Sequence, residues 1–132
     1  MVKEKPIIPP RRTECSAGDC SVECGDGGCG CISSSDDPRD CFCRCFPSRF
    51  AIVKGQKILF KTFKPRIKVT SQTKFNICAH DLPIGAFAEF LDKLLPNKIF
   101  VPAKIATNRV TLSLKTKTLR QIINGSGLAL KG

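Results

Sequence analysis

The sequence predicts an α+β fold: a small β-α-β-β-α-β domain, a β-hairpin ahead of it, and an irregular cysteine-rich segment at the N-terminal end. Three observations lead to this prediction. Eight of the nine cysteines fall within residues 15–45, where other apolar side chains are scarce. Two later stretches place apolar residues at intervals of three and four, the spacing of an amphipathic helix. Short apolar or alternating runs surround these stretches, which is typical of strands.

The 132 residues are enough for one ordinary domain with an appendage. We predict a flexible arm at residues 1–14, a cysteine-rich segment at 15–46 and an α+β domain at 47–132 whose core is 75–130. The arm is charged and rich in proline, and it lacks the apolar run of a signal peptide. No stretch approaches the roughly 18 apolar residues that would span a bilayer.

The cysteine-rich segment has too few apolar residues to build a core, so covalent or coordinate bonds must order it. Four disulfides would do so in an oxidising compartment. Two tetrahedral zinc sites with four thiolates each are the alternative. We favour disulfides, because Cys29-Gly-Cys31 and the 41–45 run are spaced too tightly for an ordinary zinc knuckle. The candidates for either chemistry are Cys15, Cys20, Cys24, Cys29, Cys31, Cys41, Cys43 and Cys45.

Within this segment, residues 41–45 have a period of two, which predicts a strand. Such a strand places three sulfur atoms on one face and the side chains of Phe42, Arg44 and Phe46 on the other. A row of sulfur atoms on one face suits disulfides to a second strand. Residues 22–31, interrupted by glycines, are the candidate for that strand.

Two short strands, 49–54 and 57–63, are predicted to form a hairpin across Gly55-Gln56. Lys64-Pro65 ends the hairpin. Residues 66–70 are either a further strand or an extended linker.

The predicted core begins with a strand at 75–79 and an amphipathic helix. Asp81 is the expected N-cap of this helix, and Pro83 falls in its first turn, where proline is tolerated. The helix ends at Pro96-Asn97. Its apolar face consists of Ile84, Phe87, Phe90, Leu91, Leu94 and Leu95.

The second half of the core repeats this alternation of strands and a helix. Residues 98–102 and 109–115 are predicted strands, and the latter alternates apolar and polar side chains. Thr118 is the expected N-cap of a short second helix, which stops at Gly125-Ser126-Gly127. A last strand begins at Leu128.

Residues 75–130 resemble the secretin and TonB short N-terminal domain family. The resemblance consists of hydrophobic positions in strands and helices in a fixed order, and one Gly-Leu pair. The segments that carry it are Phe75-Asn76-Ile77, Ile99-Phe100-Val101-Pro102, Val110-Thr111-Leu112-Ser113-Leu114, Thr118-Leu119-Arg120-Gln121-Ile122-Ile123 and Gly127-Leu128-Ala129-Leu130. The cysteine-rich segment and residues 49–74 lie outside the family pattern.

The resemblance implies a protein–protein contact module outside the cytoplasm. Domains of this family precede an outer-membrane secretin or transporter and contact partner proteins in the periplasm. A periplasmic or secreted setting would also favour disulfides.

Positive charge is concentrated in the C-terminal half. Residues 65–132 carry 11 Lys and Arg against 3 Asp and Glu, whereas residues 1–64 carry 11 against 8. A basic domain suits an acidic protein face, anionic lipid or nucleic acid. Stacking on bases would fall to phenylalanine, since Trp and Tyr are absent. A possible basic contact patch, whose alternative is a merely solvated face, comprises Lys104, Arg109, Lys115, Lys117 and Arg120.

Neither half shows a catalytic centre. The single histidine, His80, has only Asp81 as a neighbouring carboxylate, and Cys78 is interpreted as a small buried hydrophobe in an apolar strand. We therefore predict a non-enzymatic protein-interaction module of a bacterial envelope, secretion or signalling assembly, without a cofactor. The alternative is a cytoplasmic protein that binds nucleic acid or zinc through a metal-ordered cysteine-rich segment.

Overall fold

The computed structural model describes residues 13–25, 27–96 and 98–130, and it confirms the predicted α+β class. The helices are α1 (Ile84–Asp92) and α2 (Leu119–Ser126), and a 3-10 turn spans Ala103–Ile105. The strands are β1 (Thr13–Ala17), β2 (Cys20–Cys24), β3 (Cys29–Ser34), β4 (Cys41–Cys45), β5 (Phe50–Val53), β6 (Gln56–Leu59), β7 (Lys74–Pro83), β8 (Ile99–Phe100), β9 (Arg109–Thr118) and β10 (Ala129–Leu130).

Six of these strands form one antiparallel sheet in the order β6-β5-β4-β3-β7-β9. The β1–β2 hairpin covers one face of the sheet, where it contacts β3, β4 and β7. The two helices pack toward the other face, α1 against β7 and α2 against β9. The sheet is thus the middle of three layers, and both of its faces are covered over β3 and β4.

The alternation of side chains along the central strands creates two chemically different interiors. In β4 the cysteines point toward the β1–β2 hairpin, while Phe42 points into the apolar core beneath the helices. In β3, Cys29 and Cys31 share the hairpin side, and Ile32 lies on the core side. This confirms the prediction that residues 41–45 form a strand with its sulfur atoms on one face.

The cysteine-rich segment is more regular than expected, because it contains β1 to β4. The partner of β4 is β3, which begins only at the end of the candidate range 22–31, while β2 pairs with β1. The large sheet also continues across the boundary predicted at residue 47, since β4 pairs with β5 and β3 pairs with β7. Thr13 and Glu14, predicted to belong to the arm, lie in β1. The rest of the arm, residues 1–12, lies outside the described residues.

Phenylalanine rings form the centre of the apolar core. The ring centroid of Phe42 lies 4.7 Å from that of Phe90 in α1 and 5.0 Å from that of Phe63. Phe75, Phe87 and Phe90 are fully buried with it. Burying one such side chain stabilises a fold by roughly 1.5–3 kcal/mol, which makes this cluster the main apolar contribution on the helix side.

The two helices start differently. Thr118 caps α2 as predicted: its hydroxyl accepts from the backbone N–H of Gln121, and the Gln121 side chain accepts from the N–H of Thr118. The prediction that Asp81 caps α1 is wrong, because β7 continues to Pro83 and makes Pro83 the N-cap residue. The first N–H of α1, on Ile84, instead donates to the carbonyl of Asn108 over 2.9 Å.

The hairpin of β5 and β6 turns one residue earlier than predicted. Val53 pairs with Gln56, so Lys54 and Gly55 are the two turn residues. Both have positive φ angles, 50° and 81°. A tight two-residue turn of this hand requires positive φ at both positions, and glycine supplies one of them without strain. Residues 64–70 that follow contain neither strand nor helix.

The order β-α-β-β-α-β over residues 74–130 agrees with the prediction, although the strands divide between two sheets. The strands β7 and β9 pair in the large sheet, whereas the two-residue strands β8 and β10 pair only with each other. Within the described residues, neither helix has the length and apolar composition required to cross a membrane.

Replacing Phe42 with alanine should lower the free energy of unfolding by about 3–5 kcal/mol, because it leaves a cavity between β4 and α1. Guanidinium unfolding with the disulfides intact measures this change. Phe100→Ala is the matched control, since Phe100 is 50% exposed. Equal decreases in the free energy of unfolding for the two variants would contradict the burial of Phe42 described above.

Candidate functional site

A layer of sulfur atoms lies between the β1–β2 hairpin and the large sheet. Most of its members are almost inaccessible to solvent, and the remainder are half-buried. The hairpin contributes Cys15, Cys20 and Cys24, and the sheet contributes Cys29, Cys31, Cys41, Cys43, Cys45 and Cys78.

Six of these sulfur atoms form three disulfides, as the spacing of the cysteines led us to favour. Cys20–Cys41 and Cys24–Cys45 join β2 to β4, and Cys31–Cys43 joins β3 to β4. Each closes a loop of moderate length and is worth about 3 kcal/mol of stability in the chain-entropy view. The zinc alternative required these six atoms as thiolates, whereas here they are bonded to one another. Disulfides of this kind persist in oxidising compartments.

The remaining three cysteines are thiols, whereas the sequence led us to expect four disulfides among the first eight. They come from three strands, Cys15 from β1, Cys29 from β3 and Cys78 from β7. The Sγ atoms of Cys15 and Cys29 lie 2.6 Å apart. We call these three residues the thiol cluster.

Hydrogen bonding inside the thiol cluster separates the acidities of its members. The hydrogen bond with Cys15 lowers the pKa of Cys78 to about 6, although burial opposes this change. The same partner lowers the pKa of Cys29. The pKa of Cys15 itself is raised, mainly by its hydrogen bonds with Cys29 and Cys78. Cys15 is therefore the least acidic member of the cluster, and the pKa of Cys78 lies below neutral pH, which favours its thiolate.

Cys78 faces an open cavity of about 670 Å³ at the surface of the hairpin layer. The cavity is lined by Cys15, Cys78 and further residues of β1 and β2, namely Glu14, Ser16, Ser21, Val22 and Glu23. The interpretation of Cys78 as a small buried hydrophobe is therefore incomplete, because it is only half-buried and lines the cavity together with the thiol of Cys15. No local sequence signal indicated this, since its partners lie some fifty residues or more away.

His80 lies in β7 opposite Cys29 and is half-buried. Its charge contributes to the lowered pKa of Cys78. A positive charge near a thiol favours the thiolate, so His80 acts in the same direction as the hydrogen bond from Cys15.

The structure places the five basic residues predicted as a contact patch in different settings. Arg109 forms an ion pair with Asp81 over 2.9 Å and donates to the carbonyl oxygen of Gly27 over 3.0 Å. It therefore ties β9 to β7 and to the chain after β2.

The other four lie on three elements. Lys115 and Lys117 are exposed on β9, and Arg120 is exposed in the first turn of α2. Lys104 lies in the 3-10 turn, whose Ile105 approaches Gly127 at the opposite end of α2. Lys115, Lys117 and Arg120 are thus three exposed basic residues that lie close together along the chain.

β9 is an edge of the large sheet, since the strand order ends there. It has ten residues, whereas β6 at the other edge has four. Its side chains alternate, with Thr111, Ser113 and Lys115 exposed and Leu112 and Leu114 half-buried. Such an edge presents backbone N–H and C=O groups to a further strand.

Across the three described stretches of chain, no set of three or more His, Cys, Asp or Glu side chains is arranged to hold a metal ion. No protein-family model, curated protein or solved structure matches this chain.

Alkylation of Cys78 in the native protein should reach half its maximal rate near pH 6, because only the thiolate reacts and its pKa is about 6. The rate should be constant above about pH 7 and fall about tenfold per pH unit below pH 6. Quantifying the labelled Cys78 peptide by mass spectrometry measures this profile. In Cys15→Ala the midpoint should move toward the ordinary value near 8.5. A wild-type midpoint already near 8.5 would contradict the hydrogen-bonded thiolate.

Proposed function

We propose that this chain is a non-enzymatic protein-binding module that works outside the cytoplasm in an envelope, secretion or signalling assembly. The observation that carries the proposal is the ten-residue edge strand β9, which docks an extended segment of a partner protein. The bound segment pairs with the backbone of β9 and continues the sheet.

Strand addition fits β9 because the backbone groups of the edge supply affinity and alternate side chains supply selection. The inner side of β9 is fixed by long pairing with β7, from Lys74 opposite Thr118 to Pro83 opposite Arg109. The ion pair of Arg109 with Asp81 anchors one end of this pairing. A rigid edge loses little conformational entropy when a partner binds, which favours affinity.

The charge of this surface favours an acidic partner. Lys115 and Lys117 lie near the end of β9, and Arg120 follows in α2. Complementary charge raises the association rate and excludes basic partners. These effects are larger than its contribution to the affinity of the final complex. The excess of 11 basic over 3 acidic residues in 65–132 acts in the same direction.

Two observations support a setting outside the cytoplasm. Three disulfides are stable in an oxidising compartment and rare in a reducing one. The resemblance of residues 75–130 to the secretin and TonB short N-terminal domain supports the same setting and a role in protein contact.

A random-peptide display selection against the native protein tests the docking surface. Selected peptides should be extended and rich in Asp and Glu, and their binding should slow hydrogen exchange in β9 but not in β6. The double variant Lys115→Glu/Lys117→Glu should weaken peptide binding about tenfold, which corresponds to roughly 1.4 kcal/mol.

Lys57→Glu/Lys61→Glu is the matched control, since it makes the same charge change beside the opposite edge. Equal loss of binding in both double variants would show that only net charge matters. Protection that appears in β6, or in neither edge, would reject β9 as the docking strand.

A further inference from the structure

We propose that the thiol cluster is a thiol–disulfide exchange site, in which Cys78 reacts with an external disulfide and Cys15 passes the new bond to Cys29. The external reactant is a disulfide of a small molecule or of another protein. This activity goes beyond the binding role proposed above and does not depend on it.

The three thiols are ordered by their access to solvent. Cys78 is half-buried and lines the open cavity at the hairpin layer. Cys15 is 4% exposed, and Cys29 is fully buried at 0%. An external disulfide therefore meets Cys78 first, and a bond between Cys15 and Cys29 would be shielded from reductants.

The sheet register makes Cys15 the necessary intermediate between the other two. Cys78 pairs with Cys31 and His80 pairs with Cys29, so Cys29 and Cys78 are diagonal neighbours on one face. Diagonal positions in an antiparallel pair are about 7–8 Å apart, at or beyond the span that a disulfide can bridge without backbone movement. Cys15 lies on the hairpin above them: its Sγ is 2.6 Å from that of Cys29, and it lines the same cavity as Cys78.

The reaction balances in three exchanges. The Cys78 thiolate attacks one sulfur of the external disulfide, forms a mixed disulfide and releases the first external thiolate. The Cys15 sulfur then attacks the Sγ of Cys78 and releases the second external thiolate. Finally the Cys29 sulfur attacks the Sγ of Cys15, which forms the Cys15–Cys29 bond and restores the Cys78 thiolate. Two electrons pass to the external disulfide, and the protons of Cys15 and Cys29 pass to the two released thiolates.

The acidities support this order of attack. The lowered pKa of Cys78 keeps it as a thiolate and a good leaving group at neutral pH. The raised pKa of Cys15 keeps this thiol protonated while Cys78 is a thiolate. Once Cys78 is in the mixed disulfide, that thiolate is gone and Cys15 can lose its proton and attack. Reduction runs through the same exchanges in reverse, with Cys78 again the atom that meets the external thiol.

The three structural disulfides allow this chemistry without unfolding. Two of them clamp β2 to β4, so Cys15 on the adjacent β1 stays above the sheet in every redox state. The third disulfide, Cys31–Cys43, lies next to Cys78. It is therefore a second target for the Cys78 thiolate, and an experiment must distinguish attack on this bond from attack on the external disulfide.

The test uses the full chain after mild treatment with reduced glutathione, with one equivalent of a chromogenic aryl disulfide as the probe. The wild-type protein should release both aryl thiols, keep no adduct and gain a Cys15–Cys29 bond by peptide mapping. Cys15→Ala should release one aryl thiol and retain the other as an adduct on Cys78. Cys29→Ala should stop at a Cys15–Cys78 bond, and Cys78→Ala should react at least tenfold more slowly.

Alanine is chosen because it adds no polar group to a buried site, and retention of the three structural disulfides in each variant shows that it folds. If the Cys15–Cys29 bond persists after glutathione treatment, its reduction by an external thiol should require Cys78. That result supports the same relay running in reverse. A stable adduct on wild-type Cys78, a Cys78 bond to Cys31 or Cys43, or equal reactivity of Cys78→Ala would overturn the proposal.

Discussion

The covalent attachment of the β1–β2 hairpin to β4 is the constraint on which the rest of the structure depends. Apart from its cysteines, the hairpin contributes few apolar side chains to the interior, so burial alone would hold it weakly. Cys20–Cys41 and Cys24–Cys45 fix it over the sheet instead. With that cover in place β3 is buried on both faces, and Cys15 and Cys29 are enclosed, whereas Cys78 remains half-buried beside the open cavity.

β4 couples this sulfur layer to the apolar core. Cys41 and Cys45 are bonded to the hairpin, while Phe42 and Arg44 lie on the helix side. Arg44 is only 5% exposed, and its guanidinium lies 4.3 Å from the ring centroid of Phe60 and 3.4 Å from the Glu89 carboxylate of α1. A buried cation is tolerable only with such partners, so β4 positions the helix layer as well as the hairpin.

The thiol cluster and the docking edge of β9 lie close together, because β7 carries Cys78 and pairs with β9. Cys78 pairs with Ser113 of β9, so a segment added to the edge of β9 would lie two strand spacings, or about 10 Å, from the thiol cluster. A partner that carries a disulfide near its docking segment could therefore meet both surfaces at once. The exchange chemistry itself requires only the three thiols and an external disulfide.

Local patterns in the sequence determined the elements, and tertiary structure decided how they assemble. The period of two in 41–45, the helical spacing after Pro83 and the capping residue Thr118 were sufficient because each acts within a few residues. The disulfide pairing, the place of β3 beside β7 and the acidity of Cys78 depend on groups distant along the chain. Asp81 shows the same limit. Its position just before the helix suggested a cap, but it lies in β7 and pairs with Arg109 of β9, which is distant along the chain.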